Sequence, residues 1–136
     1  MRASLALQRQ LFAVLAADVA LGARGLKIFD GPPADARPPY LSLGADEVSD
    51  WGFKADDGGG AGRIHRFSVT LWDARESLAG AKEILGEVEA AVLAMPRSFA
   101  GVRLVNLRLL RAQVKRSARN WTQGTVLFRA LSVIED

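Results

Sequence analysis

The spacing of hydrophobic positions changes once, abruptly, within residues 63–95, RIHRFSVTLWDARESLAGAKEILGEVEAAVLAM. From His65 to Leu71 the residues alternate: His65, Phe67, Val69 and Leu71 share one face, and Arg66, Ser68 and Thr70 the other. Period-two alternation in an aromatic and β-branched run predicts a half-buried strand. Beyond Asp73 the period becomes helical, and Leu78, Ala81, Leu85, Val88 and Val92 form one apolar stripe. Asp73 with Glu76 has the form of a capping box, Ser77 competes as N-cap, and Pro96 ends the helix. A strand and a helix that share one core oblige the remaining elements to pack on the same sheet or the same helix.

Before this unit, residues 4–22 predict a helix capped by Ser4, with Leu5, Leu11, Phe12, Leu15 and Val19 on a broad apolar face and Gly22 and Gly25 as its stop. Leu26 to Phe29 reads as a brief strand. Residues 30–39 hold four prolines and a glycine and read as an irregular connection. Tyr40, Ser42 and Gly44 alternate with Leu41 and Leu43 in a further strand. Residues 45–62, ADEVSDWGFKADDGGGAG, predict a long hairpin with a flexible tip at Asp56, Asp57 and the three glycines. Trp51 and Phe53 at its base and Asp56 and Asp57 at its tip are candidate binding residues; an ordinary loop with the Trp tucked into the core is the other reading. After the helix, residues 98–101 predict a turn, and Val105, Leu107 and Leu109 alternate with Asn106 and Arg108 in a strand. A basic loop follows at 115–120, and Val126, Phe128, Ala130 and Ile134 face inward from the last strand. The order α-β-β-β-α-β-β predicts an α+β fold, one domain over residues 1–136, with an antiparallel sheet packed by two helices.

Composition narrows the function classes. With 136 residues, 49% hydrophobic and 24% charged, the chain is long enough for a core without staples. It has no Cys, so disulfides and thiolate metal sites are excluded. No apolar run reaches the length of a membrane span, and the N-terminal pattern is broken by Gln8, Arg9 and Gln10, so a soluble protein without membrane contact is expected. His65 is the only histidine, and it lies on an apolar strand face, where a structural role is the expectation. There is no nucleophile elbow, no metal-ligand spacing and no phosphate-binding loop, since neither a Lys-Ser/Thr pair nor a helix follows the glycines. A non-enzyme without cofactor or metal is expected. Net charge is only +3, but residues 97–134 carry eight basic side chains and no acidic one, whereas the first 96 residues are net negative. That asymmetry points to a surface that meets a partner of opposite sign, either nucleic acid or a second copy. Arg111, Lys115, Arg116 and Arg119, beside Trp121, are the candidate residues of the basic segment.

Three patches in order carry a family resemblance: Pro39-Tyr40-Leu41-Ser42-Leu43-Gly44, then His65 to Trp72 ahead of the helix, then Phe128-Arg129-Ala130. In length and element order the chain resembles the small head–tail joining and tail-terminator proteins of long-tailed phages, prophages and gene transfer agents. Its Ala-, Arg- and Gly-rich composition is similar to that of a high-GC bacterial source. The resemblance implies a structural virion protein, made in the bacterial cytoplasm, at the head-proximal end of a tail. It implies a ring, usually of six copies, that caps the tail tube, stops its polymerisation and joins it to the head-side connector or stopper protein. Passing DNA would be a transient, non-specific partner in the lumen. The alternative from the residues alone is a small nucleic-acid-binding module using the basic hairpin 108–121.

Overall fold

The computed structural model describes residues 1–54, 61–117 and 120–135. The elements run α1 (Arg2–Ala17), α2 (Val19–Ala23), β1 (Lys27–Phe29), β2 (Tyr40–Lys54), β3 (Ala61–Asp73), α3 (Leu78–Leu93), β4 (Ser98–Phe99), β5 (Val102–Arg116) and β6 (Thr122–Ile134). One sheet holds all six strands in the order β1-β2-β3-β6-β5-β4. Helix α3 packs on β3, β5 and β6, and α1 packs on α3 and the β1–β2 side. The fold is α+β, as the element pattern predicts.

Two long hairpins, β2–β3 and β5–β6, meet along β3 and β6. These two strands pair without a shift from Arg63–Ser132 to Asp73–Thr122. Their inward residues build the centre of the core: Phe67, Val69 and Leu71 from β3, and Val126, Phe128 and Ala130 from β6, all buried. Phe67 and Phe128 stand directly opposite and stack at 5.4 Å with 21° between their planes, the cross-strand arrangement that rewards aromatic pairs. Ile134, expected inside, sits half-buried at the rim, and Ser132 takes the inward position before it. Above this sheet α3 buries Ala81, Ile84, Leu85, Val88, Ala91 and Val92, while Leu78 is 38% exposed and lies outside the stripe. Gly124 lets the helix come close: a Cβ there would lie 2.6 Å from Leu85 Cδ1.

Several local expectations are corrected. The first helix breaks at Asp18, whose extended backbone ends α1 while its carboxylate accepts from Leu21 N at 3.0 Å and caps α2. Its buried stripe is Ala3, Leu7, Leu11 and Leu15, so Leu5, Phe12 and Val19 are exposed. There are therefore three helices among the described residues, not two, and α2 packs on α1 and α3. The sheet is not wholly antiparallel, because the Pro-rich connection 30–39 returns the chain to the same end and sets β1 parallel to β2. Residues 98–101 are not a plain turn: β4 pairs with β5 across Ala100 and Gly101, both at positive φ (48° and 77°), the backbone of a type I′ hairpin. Strand β5 carries irregularities between Leu104 and Asn106 and between Leu109 and Arg111. These turn Val105 and Leu110 outward, 42% and 37% exposed, whereas Leu107 and Leu109 face the core as expected. The predicted hairpin after Tyr40 is β2–β3; its tip, with Asp56, Asp57 and residues 58–60, lies outside the described residues.

These contacts rank three substitutions. Phe67→Ala should lower the unfolding free energy by about 3–5 kcal/mol. Gly124→Ala, which overpacks Leu85, should cost about 1–3 kcal/mol, and Arg116→Ala, exposed at the end of β5, should stay within about 0.5 kcal/mol. Urea denaturation of the three variants checks the order; a normal Phe67→Ala with an unfolded Arg116→Ala would mean the sheet is inside out.

Candidate interaction surfaces

The only histidine is fully buried and joins a chain of polar groups. His65 Nε2 lies 2.7 Å from Ser132 Oγ, and Nδ1 lies 3.1 Å from Asp46 Oδ2, which also accepts from Ser4 Oγ at 2.6 Å. With Nδ1 donating to Asp46 and Nε2 accepting from the Ser132 hydroxyl, both ring nitrogens have a partner, while Asp46 Oδ1 is buried without one. The order Ser–His–Asp resembles a hydrolytic triad, but His65 is 0% and Ser132 1% exposed. No substrate carbonyl can reach that hydroxyl. The network fastens the start of α1 to β2, β3 and β6, a structural role as the sequence predicts. Its partners Asp46, Ser4 and Ser132 were not legible, because the pairing that joins them is non-local.

Asp73 is buried at 1% and closes the end of β3. It is not the helix cap: Ser77 caps α3 by accepting from Gly80 N at 3.0 Å. Asp73 is instead clasped by Arg75, accepting from the backbone N at 3.0 Å, from Nε at 3.0 Å and from Nη2 at 2.7 Å. Thr122 Oγ1 donates to the Arg75 carbonyl at 2.7 Å and ties this corner to the start of β6. Burial pushes the Asp73 carboxyl up, but the hydrogen bonds and charge of Arg75 outweigh it and hold the group below the usual carboxylate range.

The face of the sheet opposite the helices is open. The register across β2, β3, β6 and β5 sets its side chains in rows: Glu47, Arg66, Arg129 and Arg108 form one; Ser68, Leu127 and Arg111 the next; then Ser42, Thr70, Thr125 and Gln113; then Trp72, Gln123 and Lys115. Thr70 and Thr125 hydroxyls lie 3.3 Å apart. Of the sequence candidates, Arg111 and Lys115 belong to this face, and Arg116 ends β5 beside them, all exposed. Trp121 packs edge-on against Trp72, centroids 6.2 Å apart. Trp51 lies over Gly62, where a Cβ would overlap the indole; Phe53 falls in β2; Asp56, Asp57 and Arg119 lie outside the described residues. Because β3 and β6 run antiparallel, the structure separates the two candidate groups: the β2–β3 turn is at one end of the sheet and the β5–β6 turn at the other. Arg66, Arg108 and Arg129 were read only as outward or flanking residues; their signal is an Arg at the outward phase of three strands.

Among the described residues no cluster of three or more His, Asp or Glu could hold a metal ion, and no helix is long and apolar enough to cross a membrane. Fold and surfaces define a small α+β domain with structural polar networks inside and charged groups outside. The sequence matches the family described as tail completion protein gp17 over residues 9–132. The chain belongs to that family, which confirms the resemblance read from its three patches; it is a tail completion protein with a structural role. It is similar to a chain of the virion of a native gene transfer agent particle, with 30% identity, 96% of each chain covered and a TM-score of 0.76. The structure of the bacteriophage SPP1 gp17 protein shares the fold, with 23% identity, 96% of this chain and 91% of that chain covered, and a TM-score of 0.64. No curated protein matches.

The Asp73–Arg75 clasp makes a pH-dependent prediction. A carboxylate held below its unfolded value, about 3.9, contributes stability above that pH and loses it as pH falls through the folded value. Arg75→Ala should therefore destabilise the subunit at pH 7 by about 1–3 kcal/mol, and the gap to the parent should close towards pH 2. Denaturation at the two pH values tests it; a gap independent of pH would show that Arg75 acts through packing alone.

Proposed function

We propose that this chain is a tail terminator: a closed ring of six copies at the head-proximal end of the tail of a phage or gene transfer agent particle. The ring caps the tube, stops its growth and offers the head-side connector a docking surface, with DNA passing through the lumen. One observation carries this reading: the similarity over 96% of both chains to a component of a native gene transfer agent virion. Family membership over residues 9–132 agrees with it.

The placement of charge also supports a ring. A closed ring of identical subunits repeats one heterologous contact, which needs two different patches on each copy. Glu47 stands towards the β2–β3 end, and Lys115 and Arg116 at the opposite, β5–β6 end. Head-to-tail neighbours can thus meet with opposite sign, as the charge asymmetry of the sequence implies. An independent nucleic-acid module built on residues 108–121 has less support, because that segment is built into the six-stranded sheet through β5 and its Trp121 is already packed on Trp72.

Cryo-electron microscopy of the assembled particle tests the reading. The expected map shows six copies in one closed ring between tube and connector. A single copy at the junction, or copies repeated along the tube, would overturn it.

A further inference from the structure

We propose that the open face of the sheet is a nucleic-acid backbone contact, made without sequence preference by the row Arg66, Arg129 and Arg108. The row follows from register: Arg66 faces Arg129, and Arg129 faces Arg108, on three adjacent strands. Facing side chains on neighbouring strands have their Cβ atoms about 5 Å apart, and like charges so placed are destabilising. None of the three side chains makes a hydrogen bond or ion pair with a described residue, and Arg66 and Arg108 are exposed. The isolated subunit therefore keeps three mutually repelling guanidinium groups in one line. Arg111 and Lys115, also without an ion pair among the described residues, extend the positive field along β5, and Glu47 is the one carboxylate in these rows.

The anion that fits is a run of phosphates. Guanidinium groups bind phosphate oxygens bidentately, and a row of three spans about 10 Å, a length over which one strand presents several phosphates at a rise of about 3.4 Å each. Thr70, Thr125 and Gln113, two rows further along the same face, add neutral donors of the kind that backbone contacts use. A second copy of this chain is a poorer occupant, because half of its described carboxylates are already engaged as follows. Asp18 caps α2; Asp46 accepts from Ser4; Asp50 pairs with Arg63, Asp73 with Arg75, Glu87 with Arg24, and Glu135 with Arg103. No matching row of carboxylates remains among the described residues.

This assignment rests on the ring reading for the source of the DNA, which would be the strand pair that the ring encloses; the face itself follows from register and charge. The test uses the full chain and a 20-base-pair DNA duplex of arbitrary sequence, with binding read by fluorescence anisotropy across a salt series and self-association by sedimentation. The parent should bind, with an affinity that falls steeply with salt. The triple variant Arg66→Gln, Arg108→Gln, Arg129→Gln should bind at least about tenfold more weakly, with a salt slope smaller by about 0.9 for each lost phosphate contact. Its melting temperature should equal or exceed the parent's, since the repulsion is gone, and its self-association should be unchanged. The charge-keeping variant Arg66→Lys, Arg108→Lys, Arg129→Lys should retain most of the binding and so guards against a folding defect. A parent that does not bind, or a Gln variant that binds equally well, would overturn the proposal and leave the ring reading standing. A folded Gln variant that no longer self-associates would also overturn it, since the face would then be a contact between copies.

Discussion

The unshifted pairing of β3 with β6 is the constraint on which the other features depend. These strands belong to different hairpins, and α3, β4 and β5 intervene between them in the chain. Their union closes a loop of about fifty residues, an entropic cost that grows only slowly with length. It is offset by the apolar surface that the inward phase hides under α3. Because side chains alternate, one register decides everything on both faces at once. It stacks Phe67 on Phe128, brings His65 to Ser132 and lays Gly124 under Leu85. On the other face the same register lines up Arg66, Arg129 and Arg108.

Polar chemistry is distributed by that division. Inside, each charge or ring is supplied with a partner: Asp73 with Arg75, and His65 with Asp46 and Ser132. Burial without such partners would cost several kcal/mol for a charged group, so these groups hold elements together and are closed to substrates. Outside, the three arginines are left to whatever the assembled state supplies. A tail completion protein works by contact, and its informative residues are accordingly those whose interactions the single subunit leaves incomplete.

Much of this was legible from local pattern. The alternation in residues 65–71 and 126–130 placed the inward residues correctly, because two-sided strands with one buried face keep strict phase. Local pattern failed where two solutions share one sequence. Helix α1 carries Leu5 and Phe12 as well as Leu7, Leu11 and Leu15, and periodicity cannot say which stripe meets the sheet; the neighbours decide. Asp73 and Ser77 both suit an N-cap, and the choice fell to Ser77 once Asp73 was buried against Arg75. The bulges at Val105 and Leu110 replace polar by apolar at the outward phase and so hide the change of parity. Of the candidate surface, individual outward arginines could be read off, but their alignment in a row could not, since register between distant strands is a tertiary property.

The register of β3 on β6 is therefore the claim to test most directly, and a chain without cysteine makes the test clean. Thr70 and Thr125 face each other on the open side, with hydroxyls 3.3 Å apart, so cysteines at these two positions would stand directly opposite, as a cross-strand disulfide requires. Under mild oxidation of the isolated subunit, the pair Thr70→Cys, Thr125→Cys should cross-link rapidly and leave the fold intact, while the shifted pair Thr70→Cys, Val126→Cys should stay reduced. Preferential cross-linking of the shifted pair would contradict the account, because a one-residue slip would turn Phe128 outward and disperse the arginine row.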